Sequence, residues 1–170
     1  MSATVARLGR MIFGGWFVGA LYLALGLIIG AVGVGDGGDL GALLLPLAAG
    51  LLLGALLSFG VGTRISSLRR AVRAEGRGTW GPGEISARLR ALRVFWLVAL
   101  ALTAVVGLAS LVTHGGTGRA MAGIGMVLGM LMQLQPGAML WSASRGLTEF
   151  AREVAAEAGR GGPYGSYYPR

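Results

Sequence analysis

Cysteine and lysine are both absent from this 170-residue chain. Without cysteine there is no disulfide, no thiolate metal site and no cysteine nucleophile. Without lysine no retinal or pyridoxal Schiff base forms, which excludes a rhodopsin-like photoreceptor. The single histidine, His114, rules out bis-histidine haem ligation within one chain. Charge is the scarcest commodity. Only 13% of residues are charged, and all of them lie outside four apolar stretches, 11–35, 40–63, 94–118 and 120–144. A span without ionisable groups carries no proton relay, no ion ligand and no buried acid–base pair.

What is present is apolar. Hydrophobic residues make up 54% of the chain and mean hydropathy is +0.68. At ~1.5 Å rise per residue, each stretch makes a helix roughly 36 Å long, against a hydrocarbon core of ~30 Å. The expected fold is all-α: a four-helix transmembrane bundle forming one membrane domain over residues 1–162. The first apolar run is too long for a signal-peptide core, and no persuasive cleavage site precedes Asp36, so it is expected to be retained. No cofactor and no metal are expected.

All basic residues are arginine, which together with abundant glycine and alanine reads as the codon bias of a GC-rich genome. The net charge of +8 is unevenly placed. The N-terminal segment, the 64–93 connection and the C-terminal region together carry +9, while the two short loops carry −1. Basic residues beside alternate spans are the positive-inside signature and place both termini in the cytoplasm. The charge is therefore a topology signal and no nucleic-acid footprint. The bilayer is the expected partner, with attraction to anionic lipid as a secondary consequence.

The Gly35–Asp39 and Thr113–Arg119 turns are short and glycine-rich, so each joins antiparallel neighbours. The cytoplasmic arm 64–93 differs. Ile65, Leu68 and Val72 continue the second helix beyond the membrane, Gly76 to Gly83 break it, and Ile85, Leu89 and Leu92 restart a helix into the third span. Arg69, Arg70, Arg73 and Arg88 make the arm basic, and Trp80 at its tip is a candidate anchor or docking residue. Residues 145–158 form an amphipathic helix with Leu147, Phe150, Val154 and Ala158 on one stripe and Glu149, Glu153 and Glu157 on another. Three uses of the arm compete: topology and lipid contact, a clamp against those glutamates, or partner binding. Residues 163–170, rich in tyrosine, glycine and proline, are expected to be disordered. Arg7-Leu-Gly-Arg10 and Arg90-Ala-Leu-Arg93 enter the first and third spans alike. The halves thus read as a tandem repeat of a helical hairpin or as a coincidence of composition.

Glycine is the strongest internal pattern. Gly15, Gly19, Gly26 and Gly30 share a face of the first span, Gly50 and Gly54 one of the second, and Gly125 and Gly129 one of the fourth. Small residues four apart allow close backbone approach, so these faces are candidate helix-packing surfaces within the bundle, towards another copy, or towards a partner subunit. Gln133 and Gln135, the only amides in any span, lie two residues apart. At least one must face protein, through an interhelical hydrogen bond or a small-molecule pocket. Met126 and Met130 have the spacing for a soft Cu(I) ion, but nothing supports that role and methionine fills gaps beside glycine. Ser110 and His114 are formally a Ser–His pair, yet adjacent turns of one helix give poor attack geometry.

The arm Leu68-Arg-Arg-Ala-Val-Arg, Gly78-Thr-Trp80-Gly-Pro82-Gly-Glu84 and Arg88-Leu-Arg-Ala-Leu92 resembles a family of small bacterial four-helix membrane proteins of unknown function. Its members carry a Gly-x-x-Phe-x-x-Glu-like turn followed by Arg-Leu-Arg, and their genes often neighbour a small helix-turn-helix regulator. Trp80 stands where that turn usually has phenylalanine, and one residue is inserted before Glu84. The resemblance implies a fold and topology, and no activity; the expected location is the bacterial plasma (inner) membrane. The expected role is non-enzymatic: an assembly, accessory or regulatory subunit, as a homo-oligomer or with a membrane-protein partner. The alternative is a small transporter or ligand-binding protein with its site on the fourth span.

Overall fold

A computed structural model describes residues 3–75 and 82–160, with side chains over 4–72 and 83–156. Trp80, the 163–170 tail and the side chains of Arg73 and Glu157 fall outside the described residues. The chain forms α1 (Ala3–Asp36), α2 (Asp39–Glu75), α3 (Pro82–Thr113), α4 (Gly116–Met132) and α5 (Leu134–Arg160). Counting α4 and α5 as one broken rod, four helices are long and apolar enough to cross a membrane. The protein is read accordingly as a multi-pass all-α membrane bundle.

The turns follow from their residues. Gly37 adopts φ +61° between α1 and α2, a left-handed conformation that costs glycine little. The Asp36 carboxylate then accepts hydrogen bonds from the Gly38 and Gly41 amides, both at 3.1 Å. An anion thereby meets the positive end of the α2 dipole. Pro82 opens α3, where a missing N–H costs nothing. α3 ends at Thr113, short of the apolar stretch that runs to 118, because Gly116 takes φ +54° and reverses the chain.

The fourth stretch, 120–144, reads as one continuous helix, but it breaks at Gln133. Pro136 supplies the cause: it has no N–H to offer Met132, and its ring crowds that carbonyl. The chain tightens instead, with the Gln133 amide donating to Met130 O at 3.0 Å. Pro46 lies inside α2 without breaking it. The two hairpins therefore differ at their prolines.

With α4 and α5 taken as one rod, successive rods run antiparallel. The start of α1, the ends of α2 and α5 and the start of α3 consequently share one end of the bundle, here the basic end. The turns 37–38 and 114–115 mark the loop end. α2 touches all four other helices, whereas α1 touches only α2 and α5 among the described residues. α2 is the axle. Its core at the basic end is made of large aliphatics: Leu8 from α1, Leu57, Val61, Ile65 and Leu68 from α2, Ile85 and Leu89 from α3, and Leu140, Leu147 and Phe150 from α5.

Candidate functional site

The glycines mark where helices come closest. A Cβ on Gly15 would sit 3.0 Å from Ser58 O, one on Gly19 would sit 2.9 Å from the Phe59 ring, and one on Gly26 would sit 2.9 Å from Leu52. Gly30 faces Ala48 at an ordinary 3.5 Å. The α1 stripe thus lies along α2. Gly54 opposes the Tyr22 ring, at 3.1 Å from its own would-be Cβ, and faces back towards α1. The contact between α2 and α4 is tighter. A Cβ on Gly50 would overlap the Gly129 backbone, one on Gly125 would overlap the Leu43 carbonyl, and one on Gly129 would lie 2.5 Å from Pro46 O. Backbone meets backbone there. Two further close approaches involve side chains: Gly107 against Met126 at 2.5 Å and Gly137 against the Trp96 indole at 2.7 Å.

Gln133 and Gln135 separate cleanly. Gln133 is wholly buried, and its Nε2 donates to Thr103 Oγ1 at 2.6 Å, while Thr103 in turn donates to Ala99 O at 3.0 Å. The backbone carbonyl of Gln133 accepts the Trp96 indole N–H at 3.1 Å and the Gly137 amide at 3.2 Å. The break in the fourth rod is therefore stitched to α3 through side chain and main chain at once. That arrangement keeps the irregular turn against protein, where backbone outside a regular helix is tolerated at membrane depth. Gln133 Oε1 and Ser58 Oγ are buried without a hydrogen-bond partner among the described residues. Gln135 is exposed and lies 3.2 Å from the Met139 sulfur. Thr103 and Trp96 carried no signal of this role in the sequence, beyond being a hydroxyl and an indole within an apolar span.

The basic end holds the arm. Arg69 is half-buried, and Arg70 and Arg88 are exposed. Arg64 Nε donates to Arg88 O at 3.4 Å, which ties α2 to α3, and Arg88 pairs with Glu84 at 2.9 Å one turn away. The acidic stripe of α5 turns towards α1. Glu149 pairs with Arg7 at 3.7 Å, and Thr4 donates to Glu153. Among the described residues the ion pair of this stripe goes to the N-terminal helix, since α1 packs on α5 there. At the loop end, Thr117 donates to Asp39, joining the starts of α4 and α2. His114 Nδ1 lies 2.9 Å from the Ser110 carbonyl oxygen and 3.1 Å from Thr113 Oγ1, so the imidazole caps its own helix.

No group of three or more histidine, cysteine or acidic side chains able to hold a metal occurs among the described residues. Two clefts meet at the basic end between α3 and α5. One, of about 390 Å³, is lined by Ser86, Arg93, Ser144, Arg145, Thr148, Glu149 and Arg152. The other, of about 200 Å³, is apolar and runs between Trp96, Leu97, Gly137, Leu140 and Trp141, sharing Arg93. Neither a protein-family model, nor a curated protein, nor a solved structure matches the chain.

Proposed function

We propose that this protein is a non-enzymatic assembly, accessory or regulatory subunit of the bacterial plasma membrane, with both termini cytoplasmic, acting through helix packing and its basic arm. The observation that carries this reading is the distribution of polar groups. The spans hold no aspartate, glutamate, lysine or arginine, and their principal polar cluster, around Gln133, is engaged with Thr103 and Trp96 in joining helices. α1 offers the surface for assembly. Among the described residues it has no contact with α3 or α4, and Phe13, Phe17, Leu21 and Ile28 are exposed along it. The expected partner is a second copy or another membrane protein. The positive-inside arrangement of arginines and the arm's resemblance to small bacterial four-helix proteins support the location.

The cysteine-free chain makes crosslinking clean. Phe17→Cys and Leu21→Cys, introduced singly, are expected to yield a disulfide-linked dimer, or a crosslinked adduct with one defined membrane protein, in native membranes. A chain that stays uncrosslinked at both positions and runs as a strict monomer in mild detergent would overturn the reading.

A further inference from the structure

The two clefts that share Arg93 differ in chemistry, and their order along the helices is that of a lipid molecule. Arg93, Arg145 and Arg152 all line the larger. Its single acid, Glu149, already faces Arg7 across 3.7 Å. None of the three arginines is in an ion pair among the described residues. Arg93 is held in place by donating from Nη1 to Ser86 Oγ at 3.0 Å, while its Nε is buried without a hydrogen-bond partner among the described residues. A phosphate oxygen in the cleft would accept charge-assisted bonds from the arginine N–H groups that line it.

Directly beyond Arg93 lies the apolar slot. Its floor is rigid: the Trp96 indole is pinned by its bond to Gln133 O and lies against Gly137, where any side chain would collide with it. Trp141, exposed, forms the outer wall. At about 200 Å³ the slot is too small to take a helix ~10–12 Å across, but it takes a stretch of hydrocarbon chain. Tryptophans bordering a basic cleft are also the residues that settle at the lipid–water boundary.

We infer that the α3–α5 face at the basic end is a binding site for one anionic phospholipid, its phosphate among Arg93, Arg145 and Arg152 and one acyl chain in the Trp96–Trp141 slot. The inference rests on the helices spanning a bilayer with the basic end at its surface, and it does not require self-association. Binding here would fasten α5 to α3 beside the break at Gln133.

Native mass spectrometry of the full chain in detergent, titrated separately with phosphatidylglycerol, phosphatidylcholine and inorganic phosphate, tests it. One phosphatidylglycerol is expected to be retained at about 10-fold lower concentration than phosphatidylcholine. The double variant Arg145→Gln/Arg152→Gln, at two exposed positions, is expected to abolish that preference. Trp141→Ala is expected to weaken retention about 3-fold while keeping the preference for the anionic headgroup. Arg64→Gln/Arg70→Gln removes equal charge from the α2–α3 face and is expected to leave the preference intact. Equal loss in both double variants, no headgroup preference in the parent, or inorganic phosphate displacing the lipid at equal concentration would each overturn the site.

Discussion

The two ends of this bundle are held together by opposite means. At the basic end, Leu8, Ile65, Ile85, Leu89, Leu147 and Phe150 fill the interior with large side chains, as in a water-soluble helical protein. Towards the loop end the interior is Ala42, Ala48, Gly50, Ala122, Gly125 and Gly129, and main chains touch. The difference teaches what each solvent demands. Where water reaches the helices, burying a large aliphatic removes apolar area and stabilises the fold. Inside lipid the tails are as apolar as leucine, so association relies on close approach, and small residues provide it. The outward faces agree: Leu27, Ile28, Val105 and Val127 are exposed in the middle of spans, where hydrocarbon is the surrounding phase.

This contrast can be broken by substitution. The largest effect is expected at the backbone contact. Gly125→Leu drives a side chain into the Leu43 carbonyl and should separate α4 from α2, costing more than about 3 kcal/mol in unfolding from mixed micelles. A folded variant of unchanged stability would refute the tight contact. Next comes the aliphatic core: Leu147→Ala should cost about 3 kcal/mol through lost burial and a cavity. If it costs no more than a lipid-facing change, the basic end is not packed like a soluble core. Gln133→Leu removes the bond to Thr103 and relieves an unanswered Oε1, so its cost should be small, about 0.6 kcal/mol. A loss several times larger would mean that Gln133 binds something besides Thr103 and the Ala99 carbonyl. Arg7→Gln breaks an ion pair whose members are both about half exposed, and screening should hold its effect below about 0.5 kcal/mol. Least of all, Leu27→Ala on the lipid face should leave the micelle unfolding curve within about 0.5 kcal/mol of the parent.

Number and order of the spans were legible in the chain because charge is confined to the connections, a pattern that burial in lipid enforces. The continuation of α2 past the membrane was legible in the spacing of Ile65, Leu68 and Val72, all of which are buried. The break at Gln133 was not. Proline in a helix is ambiguous on its own: Pro46 and Pro136 look alike in sequence, yet the helix runs through the first and breaks three residues before the second, where Trp96 of α3 bonds the Gln133 carbonyl. Nor was the central position of α2 legible. Three spans carry small-residue stripes, and a stripe says how near a neighbour comes without saying which neighbour. The α3–α5 clefts were hidden for the same reason, since Arg93 and Arg145 are 52 positions apart in sequence and meet only through packing. Glu149 shows how partners depend on placement: the arm offers many arginines, but its ion pair among the described residues is with Arg7 of α1.

The backbone contact between Gly50 and Gly129 also carries a genetic consequence. Every single-nucleotide change that replaces glycine adds at least a Cβ, and the commonest outcomes add a methyl, a hydroxymethyl, an isopropyl group, a carboxylate or a guanidinium. No neighbouring codon offers something smaller to try. A leucine in the basic-end core can drift to methionine, valine or phenylalanine and keep most of its volume. The two halves of one bundle therefore stand under unequal mutational tolerance, and the half that touches through bare main chain has almost nowhere to go.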